Sequence, residues 1–515
     1  MVGPRRILRA AVVLCLSLAG LSCEAPKAVI DDVLEGHARI LTVDGRAVAR
    51  AHSRVVTMVP SALVPPGRHT FRVRIESPGD APDETLLVSA TVAAGKWYRF
   101  EGAGQTLRLV EEPPDSPGGR AASQDKFRQD FDTAWRSVAA NYGYFDAKGT
   151  SWADVPKLYA ADLDKVRTRD DFVALLERVV DELYDPHAQL NTNLATSPRL
   201  VPSGTDLWAE WRGGKAIITD VRDSSDAQKG GVKPNDVVMG IDYTPITEAV
   251  EARLGRSYPH SVPAARDWAL RAVLAGRHNA ARLLQLQDGD TIRTVSLAAR
   301  DQFGTQAAEP VRHSRIAPRG VGYVRFNDSL GGDSTIVAFD RALADLRDTR
   351  ALILDLRDTP SGGNSTVARG ILGRFVGREL PYQRHVLPSE ERDTGVRRSW
   401  LELVSPRGPF RYQRPVVVLV GHWTGSMGEG IAIGFDATGA GTVVGTPMAG
   451  LLGATEHFVL PRTGVGLNLP VERLYHVNGT PREAFRPRVI VDVAGARSAE
   501  DPFVVAGLRV LARRR

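Results

Sequence analysis

Residues 415–430, Pro415-Val416-Val417-Val418-Leu419-Val420-Gly421-His422-Trp423-Thr424-Gly425-Ser426-Met427-Gly428-Glu429-Gly430, combine a strand, a turn and a helix start. The unbroken β-branched and apolar run Val416 to Val420 is the pattern of a strand covered on both faces of a largely parallel sheet. Gly421 and Gly425 permit a sharp turn, and Ser426 falls where a helix carrying Glu429, Ile431, Ile433 and Phe435 begins. A hydroxyl there lies among unpaired backbone N–H groups at the positive end of the helix, a favourable place for a nucleophile whose attack creates an oxyanion. Ser426 and Glu429 equally have the spacing of a capping box. The segment alone supports both readings.

Outward from this stretch, strands and helices alternate. Val321 to Phe326 and Ala351 to Leu356 read as strands, and Ser334 to Leu346 reads as a helix. The turn Arg357-Asp358-Thr359-Pro360-Ser361-Gly362-Gly363-Asn364 leads into another helix that ends near Phe375. A proline- and arginine-rich insertion, 377–414, precedes the opening stretch. This order predicts an α/β domain with a mainly parallel sheet over 301–495, followed by a C-terminal segment, 496–515. Ligands bind at the carboxyl ends of such strands.

Upstream, a compact unit over 205–300 has short strands, Ala216-Ile217-Ile218 and Val237 to Asp242, around Gly230-Gly231-Val232-Lys233-Pro234-Asn235-Asp236. That turn resembles the one before a strand in PDZ domains, with Asn235 at a position that favours positive φ. Such domains add extended peptides to a sheet edge. Helical spacing of Phe127, Phe131 and Trp135, and of Phe172, Leu175, Leu176, Val179, Val180 and Leu183, predicts a helical segment over 124–204. His187 follows Pro186 just past the second helix, where a histidine can cap carbonyls.

Residues 113–123 are rich in proline, glycine and serine and read as a linker. Before them, alternation in Thr70 to Ile75 and Trp97 to Phe100 predicts a small antiparallel β module over 24–112. It resembles the β-sandwich modules of bacterial envelope proteins and is expected to act as a spacer or docking unit. Arg5, Arg6 and Arg9 before the apolar run Ala10 to Leu21 make 1–23 a secretory signal. Cys23 at its end resembles the lipid-attachment site of bacterial lipoproteins. Lipidation, ordinary cleavage and an uncleaved anchor all put the bulk of the protein in the cell envelope, outside the cytoplasm. Only Cys15 and Cys23 are present, so no internal disulfide is expected. The net charge of +6 comes mostly from dispersed arginines without interleaved aromatics, which excludes a nucleic-acid interface. No His or Cys cluster has ligand spacing, so neither metal nor other cofactor is expected.

The order of signal, helical segment, PDZ-like unit and α/β unit resembles the carboxyl-terminal processing and tricorn-core serine peptidases. The local motifs Leu183 to Leu190, Gly231 to Ile241, Leu354 to Gly363 and Thr424 to Glu429 carry the likeness. The resemblance implies a ClpP/crotonase-like catalytic core with Ser426 as nucleophile. The processing branch uses a lysine at the position of Leu451, and the last lysine here is Lys233. A Ser/Lys dyad is thereby excluded. The tricorn-like branch implies His187, in Asp185-Pro186-His187, as base and Glu483, in Pro481-Arg482-Glu483-Ala484, as its acid. That branch has a serine where Pro186 stands.

A serine hydroxyl needs a base within hydrogen-bond reach, and a carboxylate behind the imidazole fixes its tautomer. The oxyanion is expected on the N–H of Met427 and of Gly362 or Gly363. His422 is expected to line the site or be incidental. Adjacent Glu456 and His457 point to opposite faces of a strand and cannot both serve Ser426. The reading is a serine endopeptidase acting on extended or unfolded polypeptides. The alternatives are an inactive peptide- or apolar-ligand-binding lipoprotein and an ester or acyl hydrolase.

Overall fold

The structure is a computed structural model. It describes residues 28–513 except 32–37, 48–60, 76–83, 94–95, 102–106, 112–118, 300–308, 317–319 and 494–499. Cys15, Cys23 and the expected signal lie outside the described residues. The chain forms two compact units, one ending at Glu112 and one from Pro113 onward.

The first unit holds two four-stranded sheets around one core that includes Ile40, Phe71, Val73, Tyr98 and Phe100. Its longest hairpin pairs Gly67–Ile75 with Glu84–Val92, and the Phe71/Arg72/Val73/Arg74 alternation puts the apolar members inside. The module departs from the antiparallel expectation in one place, because Ala28–Asp31 runs parallel to Trp97–Glu101. These strands are far apart in sequence, so no hairpin constrains their direction.

In the second unit the first helix runs from Gly119 to Asn141. The expected linker over 113–123 is therefore too long, and helix overrides the composition of its second half. The helix Arg169–Val180 starts from a capping box of Thr168 and Asp171. Phe127, Phe131, Phe172, Leu176 and Val179 bury their side chains together with Leu467, Leu469 and Val471 of the strand Gly466–Tyr475. On that strand Leu467 and Asn468 also pair with Leu190 and Gln189. This pairing holds the segment that carries His187.

Residues Leu207 to Leu297 form a sheet in the order Leu207–Arg212, Lys215–Val221, Val237–Ile241, Arg282–Asp288 and Thr291–Leu297. The helices Ile246–Glu251 and Pro263–Ala275 cover it, and Trp268, Leu270, Leu284 and Leu286 lie in its core. Asn235 has φ 77°, the conformation its turn demands.

The sheet that carries Ser426 has the order Val311–Ile316, Val321–Phe326, Ala351–Asp355, Val416–Val420, Thr442–Gly445, Val489–Ile490. All neighbours after the first pair are parallel. All five residues of Val416–Val420 are buried, for a reason visible in the alternation. Val416, Val418 and Val420 face a core shared with the helices Ser334–Asp345, Ser365–Leu372 and Met427–Ala437. Val417 and Leu419 face a second core, closed by Phe503 and Leu511 of the helix Pro502–Ala512. That last helix lies past the predicted end of the domain at 495 and belongs to this layer.

The insertion 377–414 is not irregular. Leu380–Leu387 and Arg398–Val404 form a hairpin that joins the strands Gly466–Tyr475 and Ala454–Val459 in a second sheet.

Candidate active site

Two loops at the carboxyl ends of adjacent parallel strands meet at Ser426. Thr359 N–H donates to Trp423 O at 3.1 Å, and Gly425 N–H donates to Thr359 O at 3.2 Å. Thr359 and Thr424 each donate a hydroxyl to Leu356 O, at 2.8 and 2.9 Å. Held this way, Ser426 takes φ 49° and ψ −110° at the head of the helix Met427–Ala437. A non-glycine residue in that region costs on the order of 1–3 kcal/mol and persists only where the surroundings over-determine it.

Gly362, at φ 67°, is pressed against the serine. A Cβ on Gly362 would collide with Ser426 Cβ and stand 3.0 Å from its Oγ and 3.1 Å from Met427 N. Ser426, Met427 and Gly362 are thus in one place. Gly363 is pressed on the carbonyl of Leu330. The Gly362 N–H donates to Thr359 O at 3.2 Å, so it closes the turn. Met427 opens the helix, and its amide has no carbonyl of its own helix to bond.

Glu429 is fully buried. One carboxylate oxygen accepts the Ser426 N–H at 2.9 Å, the glutamate half of the predicted capping box. The other accepts the Gly450 N–H at 2.9 Å. Glu429 therefore fastens the serine to the loop that follows Thr442–Gly445. Burial, opposed by Arg482, pushes its carboxyl up to about 7.

The same loop receives His187. The imidazole Nδ1–H donates to Leu452 O at 2.6 Å, which leaves Nε2 with the lone pair. The His187 N–H donates to Asp185 Oδ1 at 2.9 Å, and the Tyr142 hydroxyl donates to Asp185 Oδ2 at 2.8 Å. Burial holds the His187 pKa below its ordinary 6.5, so the ring is neutral near pH 7. Its partner is this distant carbonyl, and it caps no helix.

Arg482, 1% exposed, donates to Leu451 O at 3.0 Å and to Gly453 O at 2.8 Å. Its neighbour Glu483 is raised from its usual carboxylate range by burial. Among the described residues Glu483 makes no hydrogen bond to His187, and its Oε2 is buried without a partner. Sequence reading missed Arg482, Tyr142 and the Glu429–Gly450 bond, because each joins residues whose neighbourhood no local pattern encodes.

His422 does not line this site. Its ring stacks on Trp208 at 4.7 Å, and burial together with Arg271 lowers its pKa to about 3. Trp423 Nε1–H donates to Thr205 O at 2.9 Å. Residues 422–423 thus join the strand end to the 205–300 unit. Glu456 and His457 are both exposed on Ala454–Val459.

A parallel sheet whose carboxyl-end loop carries a strained serine at a helix head is an arrangement on which serine hydrolases are built. Residues 320–492 match the model of Peptidase family S41, and residues 123–181 match that of the Tricorn protease C1 domain. The chain is 25% identical over 354 residues to Tricorn protease homolog 1 of Streptomyces coelicolor, a match covering 65% of this chain and 30% of that relative. It is 22% identical over 400 residues to Carboxy-terminal processing protease CtpB of Bacillus subtilis, covering 76% of this chain and 74% of the relative. Mature CPAF complexed with lactacystin shares the fold, with a TM-score of 0.50 at 15% identity over 76% of this chain and 98% of that one. Residues 320–492 are thus similar to the peptidase domains of family S41 and the residues before them to a tricorn C1 domain, while the chain spans about a third of the length of the tricorn homolog it matches.

Proposed function

We propose that the protein is a serine endopeptidase that cuts extended or unfolded polypeptides, with Ser426 as nucleophile, His187 as base and Glu483 as the acid, which takes over the Nδ1–H from the Leu452 carbonyl when the site works. The observation that carries this reading is the strained backbone of Ser426 at the head of its helix, beside Gly362. Neutral His187 takes the hydroxyl proton on Nε2, Ser426 Oγ attacks the scissile carbonyl, and the proton then passes to the leaving amine. The Met427 amide and the Gly363 N–H receive the oxyanion. Losing one such donor costs ~3 kcal/mol in the transition state.

Residues 205–300 act as a PDZ-like unit that presents substrate; the edge strand Leu207–Arg212 supports this. Residues 24–112 act as a sandwich-type spacer, and lipidation of Cys23 anchors the chain in the cell envelope. No helix among the described residues is long and apolar enough to cross a membrane.

A fluorophosphonate probe tests the site. Labelling is expected in the wild type and lost in Ser426→Ala and in His187→Ala. The Ser426 change is expected to cost folding no more than ~1 kcal/mol, as for a helix cap. Normal labelling of His187→Ala would remove His187 as base. Cleavage of a peptide library then establishes peptide bonds as the substrate.

A further inference from the structure

Two polar atoms near the loop Leu451 to Gly453 are buried with no hydrogen-bond partner among the described residues, the Tyr144 hydroxyl and Glu483 Oε2. An unpaired buried donor or acceptor costs ~1–3 kcal/mol, and native interiors satisfy such groups with each other or with ordered water. Tyr144 is 3% exposed. A Cβ on Gly453 would stand 3.0 Å from its hydroxyl. Gly453 follows Leu452, whose carbonyl accepts from His187 at 2.6 Å. The carbonyl of Gly453 itself accepts at 2.8 Å from Arg482, the residue before Glu483. Tyr144, His187 and the Arg482–Glu483 turn therefore converge on the same short loop. Pro186 offers no hydroxyl here, and the oxygens of Asp185 are engaged by His187 N–H and Tyr142.

We propose that Tyr144 is a positioning residue for the acid: its hydroxyl donates to Glu483 through one water and fixes that carboxylate beside the loop whose Leu452 carbonyl receives His187. The inference rests on the reading of Ser426, His187 and Glu483 given above. Burial and the nearby charge of Glu483 raise the Tyr144 pKa well above its ordinary 10.0, so the hydroxyl is a donor throughout the working range. Arg482, Arg473, Asp185, Lys148 and Glu429 also act on Glu483 or share its field. A hydrogen bond to the charged form of a carboxyl lowers its pKa. Removing the Tyr144 hydroxyl lets the Glu483 pKa rise further, and the acid limb of the reaction moves to higher pH.

The test is the rate of fluorophosphonate labelling of the full chain as a function of pH. Tyr144→Phe keeps the ring packing and deletes only the hydroxyl. It is expected to label about tenfold more slowly, the effect of one modest interaction, with its acid limb displaced upward and a melting midpoint lowered by only a few degrees. Because the two groups act together, Tyr144→Phe/Glu483→Gln is expected to be no slower than Glu483→Gln alone. A wild-type rate and pH limb in Tyr144→Phe, or losses that multiply in the double variant, would overturn the proposal. Wild-type chain that takes no label would instead overturn the Ser426–His187 reading on which it rests. Label that depends on Ser426 and His187 confines the outcome to Tyr144.

Discussion

Ser426 is held by neighbours that leave it no freedom. Gly362 sits at φ 67° with the serine where its own Cβ would be. Gly362→Ala is therefore expected to cost ~2 kcal/mol or more in stability, from the left-handed backbone and the collision together. It should also slow probe labelling by displacing Ser426; a melting curve and a labelling time course check both effects. A variant that melts and labels as wild type would show that the loop has room to yield. Much of this site was legible at residue level. A glycine-rich turn between an apolar run and a helix, and a histidine beside a helix end, are local signals. What was not legible is the geometry that joins them. The acceptor of His187 is a leucine carbonyl, and the clamp on that loop is a buried arginine whose side chain carries no periodic signature.

At the level of elements, the all-apolar run Val416–Val420 revealed a strand with two covered faces, because both parities of the run are buried. The hairpin Leu380–Val404 was hidden by its prolines and arginines, and charge explains its place. His385 donates from Nδ1 to Glu472 at 2.7 Å and from Nε2 to Glu402 at 3.1 Å, and its ring stacks on Trp400. Although burial opposes it, these carboxylates raise the His385 pKa above 6.5, while His385 and its neighbours lower Glu402 from 4.5 to about 2. The sign follows from the two directions. The histidine contributes stability that is complete below 6.5 and is lost as pH rises through its raised folded value. The glutamate contributes stability that is complete above 4.5 and is lost as pH falls toward about 2. The hairpin should be most firmly held in the mildly acidic window between. Hydrogen exchange of its amides, corrected for intrinsic rates, is expected to show less protection on the alkaline side of that window. His385→Gln should abolish this dependence.

On the scale of the whole larger unit, the helix Pro502–Ala512 closes one face of the parallel sheet, and Asp501 at its head accepts from Arg357 at 2.6 Å. Deleting it uncovers Val417, Leu419 and Ile353. A chain ending at residue 500 is therefore expected to lose cooperative melting and to aggregate, since several large apolar side chains at ~1.5–3 kcal/mol each exceed the usual margin of stability. Retention of a sharp transition on calorimetry would show that the face is covered some other way.

The pairing of Gln189–Leu190 with Leu467–Asn468 bears on when this protein can act. The segment carrying His187 is synthesised well before the strand it docks on and the loop that receives its imidazole. Until that strand is made, a growing chain exposes part of the apolar side of its helices, and the His187 imidazole has no acceptor. On the proposed assignment, Ser426 acquires its base only when that later strand pairs with the earlier segment, and a chain that has not reached this strand is expected to take no fluorophosphonate label.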